Sequence, residues 1–178
     1  SSAASDVYKR QHVHGVSYQA DEARKLLEEA GWKDTDGNGY VDQDGKDLTI
    51  RWLTYPGRME LPALAELVQD NLKRIGIKVD VECSSDHLKV LETGNYDVYA
   101  SALVTAPTGD PEYFFHTCAL DQSIKNRGFY HNDRLEALAK EMHQTFDTGK
   151  RNQLAIEMQQ VILDDHCLLY TSPSPRDR

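Results

Sequence analysis

Between Leu48 and Cys83 the hydrophobic pattern changes period twice, from two residues to about 3.6 and back to two, and few folds accommodate that. Leu48–Tyr55 (LTIRWLTY) alternates apolar and polar residues and ends at Pro56-Gly57. Glu60–Ile75 then repeats Leu64, Leu67, Val68, Leu72 and Ile75 at helical spacing and stops at Gly76. Ile77–Cys83 (IKVDVEC) alternates again. Two strands joined through a whole helix run parallel, because the connection must cross a face of the sheet. A short helix over Asp86–Thr93 and a buried strand over Tyr96–Val104 continue the rhythm. The expectation is an α/β fold with a mostly parallel sheet flanked by helices.

The third strand leads into Thr105-Ala-Pro-Thr-Gly-Asp-Pro-Glu112 and then into an aromatic helix start over Pro111–Cys118. Ligands of open α/β sheets are met at the C-terminal ends of strands, so this loop is either a ligand loop or a rigid crossover. Asp121–His131 has no period and reads as a second exposed loop. Three further helices are expected. Asp21–Ala30 carries Ala23, Leu26, Leu27 and Ala30 on one face and stops at Gly31. Asn132 or Asp133 caps a helix to about Phe146 with Leu135, Leu138, Ala139 and Met142 inward. Lys150–Asp165 carries Leu154, Ile156, Met158, Val161 and Ile162.

The two ends are set apart from this pattern. Ser1–Gln11 (SSAASDVYKRQ) and Cys167–Asp177 (CLLYTSPSPRD) look like the in-frame translations of the two inverted transposon-end adapters used in sequencing libraries. The expected division is therefore residues 1–11 and 167–178 as adapter-derived tails, with 12–166 as the biological segment. The formal net charge is −9, and each tail holds two basic residues and one acidic residue, so residues 12–166 carry −11. That acidity disfavours nucleic acid and anionic membranes, which require clustered Lys and Arg. No apolar run reaches the ~18 residues needed to span a bilayer.

Asp34–Gly45 (DTDGNGYVDQDG) is the stretch closest to a metal motif. Asp34, Asp36, Asn38 and Asp42 fall at positions 1, 3, 5 and 9 of a calcium loop, with Gly39 at position 6. Position 12 requires a bidentate Glu and holds Gly45, so the stretch is either a weak calcium site or an Asp/Gly turn. Among the histidines, His116 and His131 lie nearest the two loops and are kept as candidate ligands. His12 and His14 lie beside the junction with the adapter-like end, and His87, His143 and His166, each single on an expected helix, read as surface or satisfied histidines. Cys83 and Cys118 lack metal or redox spacing; they either pair or are two buried thiols. No phosphate loop, dinucleotide fingerprint, nucleophile elbow or zinc-protease motif occurs.

In order, DEARKLLEEAGW, DTDGNGYVDQDGKDLTIRWLTY, LAELVQDNLKRIGIKVDVE, LETGNYDVYASALVTAPTGDP and NDRLEALAKEMHQTFDTGKRNQLAIEMQQVILDDH resemble the peptide/nickel class of extracellular solute-binding proteins. These are the capture subunits of bacterial ABC importers. The resemblance spans Tyr18–His166 and implies an incomplete periplasmic-binding-protein lobe, the C-terminal one, without the lobe that closes over the ligand. It implies that Val104, Thr105, Ala106, Pro107, Thr108, Asp110, Arg127 and Tyr130 line the ligand cleft. Peptide-binding members usually place a tryptophan and an acidic residue where this chain has Val104 and Pro107. The pair Ala106-Pro107 followed by Asp110-Pro111 is similar to nickel-type members, and Arg127 is suited to a carboxylate of a chelator or peptide. The implied protein is no enzyme and needs no resident cofactor. Nickel enters only as part of the transported ligand, and calcium only through the Asp-rich loop. The implied partners are a peptide or metal-chelate and the permease subunits. The implied location is periplasmic or extracellular, at the membrane through a lipid anchor or the permease. The competing classes are a hydrolase using Asp110 or His116 and a calcium-stabilised structural module.

Overall fold

The computed structural model describes residues 19–104, 107 and 109–166. The two tails, His12, His14, Thr105, Ala106 and Thr108 lie outside the described residues. The chain divides between Leu103 and Val104 into two compact units.

The N-terminal unit is built on the change of period. Strand β3 (Thr49–Thr54) pairs in parallel with β4 (Lys78–Cys83), from Thr49 against Lys78 to Thr54 against Cys83. Helix α2 (Glu60–Lys73) connects them and lays Leu61 and Ala65 inward. Trp52, Ala65 and Val79 form the buried centre, flanked by Ile50, Leu64, Val68, Leu72 and Val98. Gly76 lets α2 turn directly into β4. Its N–H donates to the Lys73 carbonyl and the next N–H, of Ile77, to that of Leu72, a Schellman termination. Its φ is +82°, and a Cβ there would stand 3.0 Å from Val41 Cγ1, so only glycine fits without strain.

The other elements of this unit are α1 (Ala20–Glu29), the hairpin β1 (Asp42–Gln43) and β2 (Lys46–Asp47), α3 (His87–Thr93) and β5 (Val98–Tyr99). Asp44 and Gly45 both have positive φ (53° and 74°), as a tight two-residue hairpin turn requires. Helix α1 buries no residue, and Leu26 on its expected inner face is 56% exposed. His87 stacks on Tyr55 with ring centroids 4.3 Å apart.

Strand β5 is shorter than the expected Tyr96–Val104, pairing only Val98 and Tyr99 with Trp52 and Leu53 of β3. The reason lies in its partner. Strand β3 ends at Thr54, two residues before Pro56, and beyond that point Ala102 N–H finds the Tyr55 hydroxyl at 3.2 Å. What holds β5 in register is Asp97. Its carboxylate accepts hydrogen bonds from the Arg51 backbone N–H (2.8 Å) and guanidinium (2.7 and 2.9 Å), while Arg51 also reaches Asn95 Oδ1. The Arg51 hydrogen bond holds Asp97 below the usual carboxylate range.

The C-terminal unit is helical. A short α4 (Glu112–Phe114) widens into a π-helical turn over Phe115–Ala119, followed by α5 (Asp133–His143) and α6 (Thr148–Asp164). The expected inward residues of α5, Leu135, Leu138, Ala139 and Met142, are all buried against Leu154, Ala155, Met158 and Ile162 of α6 and against Phe115 and Leu120. Caps set both helix starts: Asn132 Oδ1 accepts from Leu135 N–H at 3.0 Å and Asp147 Oδ1 from Lys150 N–H at 2.7 Å. Helix α5 ends at His143, short of Phe146, which is 94% exposed. Cys83 is exposed and Cys118 buried, both as free thiols, so the expectation of two buried thiols holds only for Cys118. Burial pushes the Cys118 thiol up, which makes it a poor nucleophile.

Candidate functional site

The start of the helical unit is held by one arginine. Asp110 first closes a local turn, accepting the Glu112 N–H at 2.9 Å. One Arg151 guanidinium nitrogen donates to both Asp110 oxygens (2.8 and 2.7 Å) and to Glu112 Oε2 (2.8 Å). Another donates to the carbonyls of Met142 (2.8 Å), which also accepts from the Thr145 N–H, and of Thr145 (3.1 Å), just beyond the end of α5. Arg151 therefore ties the loop leaving Val104 to the junction of α5 and α6. Sequence reasoning missed it, although a signal existed. Arg151 sits in the first turn of α6, where the helix dipole disfavours a cation, so its charge serves something other than the helix.

The remaining oxygen of Glu112 faces two imidazoles. Oε1 lies 3.1 Å from His116 Nε2, one turn along the same helical segment, and 3.0 Å from His143 Nδ1 at the end of α5. Burial alone would raise the Glu112 carboxyl, but hydrogen bonds from Arg151 and His143 outweigh it and hold the group below the usual range. Asp110 and His116, either of which the hydrolase alternative would use, do not pair directly: both Asp110 oxygens accept from Arg151, and His116 meets Glu112.

Of the other expected cleft residues, Val104 is 62% exposed, and Pro107 and Arg127 are also exposed. Tyr130 differs. It is only 5% exposed, packs in the helical core, and its hydroxyl donates to Asp165 at 2.7 Å, so it offers a ligand almost no surface. The loop before it is shaped by Asn126, whose amide donates to the Tyr130 carbonyl (2.7 Å) and accepts from the Tyr130 N–H (2.9 Å). His131 is bound by Asp121 at 2.8 Å, and that hydrogen bond raises its pKa.

In the Asp-rich loop, oxygens of Asp34, Asp36 and Asp42 lie within 4.8 Å of one another. Each carboxylate already accepts backbone N–H bonds: Asp34 from Gly37 (2.7 Å) and Gly39 (2.9 Å), Asp36 from Asn38 (3.0 Å), and Asp42 from Thr35 (2.7 Å). Asn38 Oδ1 accepts from Tyr40 N–H at 2.7 Å, and Gly45 contributes only its turn. These bonds account for the turns of the loop from its own residues. A thermal melt in excess calcium should therefore coincide with one in chelator, and a rise of several degrees with calcium would establish a calcium site.

With this geometry in place, the chain can be set beside known proteins. Residues 1–126 match the bacterial extracellular solute-binding proteins, family 5 Middle. The chain belongs to that family. It is 30% identical over 153 residues to the oligopeptide-binding protein AppA of Bacillus subtilis, covering 84% of this chain and 27% of that protein. It is 29% identical over 121 residues to the nickel-binding protein NikA of Staphylococcus aureus, covering 66% of this chain and 24% of that one. The structure of a nickel ABC transporter protein from Bacillus halodurans superposes with a TM-score of 0.71 at 26% identity, over 86% of this chain and 32% of that chain. The chain thus spans about a quarter of the length of the curated relatives it matches. Those relatives are binding proteins, and their folds agree with an α/β solute-binding architecture of which this chain is a part. Among the described residues no helix is long and apolar enough to cross a membrane.

Proposed function

We propose that this chain is part of a substrate-capture protein of an ABC importer, working outside the cytoplasm on small peptides or metal-chelates. The observation that supports this above all is its similarity, over most of its length, to both an oligopeptide-binding and a nickel-binding protein. The loop from Val104 to Asp110 and the Arg127 loop are the proposed ligand-facing surfaces. The chemistry favours a chelate over an amine-anchored peptide. Pro107 supplies no carboxylate for an α-amino group, and Asp110 spends its charge on Arg151. Arg127 supplies the complementary cation for a chelator's carboxylates.

Capture proteins of this kind enclose their ligand by hinge closure, so affinity needs surfaces on both sides of the ligand. The test is calorimetry with tripeptides and with nickel fully chelated by a large excess of L-histidine, so that no free ion remains for the histidines of the chain itself. The chain alone should give almost no heat. The longer protein whose gene encodes this stretch should bind one of the two ligand classes saturably, one to one. Micromolar binding by the chain alone would overturn the need for a second surface, and silence of the longer protein with both classes would overturn the proposal.

A further inference from the structure

We propose that Glu112, His116 and His143 form a binding site for a late first-row divalent cation of the zinc type. The three side chains come from two elements of one unit. Glu112 and His116 are four residues apart on one helical face, and His143 is the last residue of α5. Their donor atoms lie within 4.8 Å of one another, and both imidazole nitrogens point at the same carboxylate oxygen, at 3.1 and 3.0 Å. Ligands held about 2.0–2.1 Å from a zinc-type ion stand roughly 3.3 Å apart, close to the two distances from Oε1, and the third falls within the 4.8 Å that spans all three donors. A cation would take the place of the two imidazole protons that now share Oε1.

The surroundings favour this use. Arg151 holds Oε2 of Glu112 and so orients the carboxylate from behind, as outer-shell partners of metal ligands do, while Asp110 balances the arginine's charge. The imidazole side chains are 49% and 76% exposed, which leaves room for water or a further ligand in the remaining positions. Two imidazoles and one carboxylate select zinc, copper, nickel or cobalt over calcium or magnesium, which prefer all-oxygen sets. The ion itself, rather than a chelate, is the ligand here, and the site does not depend on the capture function.

Zinc chloride titrated into the full 178-residue chain by calorimetry tests this. One saturable site is expected, weakened at least tenfold in His116→Asn and in His143→Asn and unchanged in a His12→Asn/His14→Asn double variant. Circular dichroism of each variant establishes that it remains folded. Imidazole proton resonances of His116 and His143 should shift on adding zinc and broaden on adding copper(II). Binding that survives both single substitutions, that disappears only with His12 and His14, or that is absent from the unaltered chain would overturn the site.

Discussion

Arg151→Met is expected to destabilise the helical unit by about 3 kcal/mol, the low end of what breaking a buried ion pair costs, because the groups keep some contact with water. The side chains of Arg151 and Glu112 are 18% and 17% exposed, and their 2.8 Å pair is joined by Asp110 at 2.7 Å. Methionine retains much of the aliphatic stem but leaves two carboxylates facing each other without a cation, and the Thr145 carbonyl without its guanidinium donor, whereas the Met142 carbonyl keeps the Thr145 N–H. Loss of that one donor costs about 1 kcal/mol. Arg151→Lys keeps the charge and loses the fork, so it should fall between the two.

The pH dependence separates this account from a simple packing loss. Glu112 is held below its unfolded pKa, so the stability it contributes is fully present above that value, about 4.3, and is lost as pH falls through the lower folded value. The gap between the parent and Arg151→Met, measured by urea unfolding, should be widest near neutrality and narrow below about pH 4 as Glu112 protonates. A gap independent of pH, or one below about 1 kcal/mol at neutrality, would show that Arg151 is not what secures this junction.

Leu135→Ala is expected to cost about 3 kcal/mol, within the range for leucine truncation in a core that cannot collapse. Leu135 is fully buried (0% exposed) and packs among Leu138, Met142, Leu154 and Met158, contributed by both long helices. Substitutions at apolar side chains outside that core provide the contrast. Phe146→Ala and Ile124→Ala remove larger or similar groups that are 94% and 79% exposed, and should change stability by no more than about 0.5 kcal/mol. If Leu135→Ala matched these, the helical core would not be organised around α5 and α6 as described.

Much of this protein is written locally. The two changes of period between Leu48 and Cys83 specify β3, α2 and β4 and their parallel arrangement, since only a crossover can join strands through a helix. Glycine at 76 and the cap at Asn132 act through their own backbones and immediate neighbours, so the end of α2 and the start of α5 were legible within a residue or two, whereas the Asp147 cap went unread and the start of α6 was expected two residues late, at Lys150. The ordered blocks also carried the family. What the residues could not decide alone were interactions over long sequence separations. Strand β5 looked as long as its apolar run, but its length depends on where β3 ends. Tyr130 looked like a cleft residue, yet the core and Asp165, 35 positions away, claim it. Arg151 gathers Asp110 and Glu112 from about 40 residues upstream, and Glu112 then faces His143, a histidine that reads in the sequence as a lone surface residue. Helical periodicity specifies which face of each segment is apolar. The pairing of charges between faces is decided only when the helices pack, because a charge–charge distance is a property of the assembled unit.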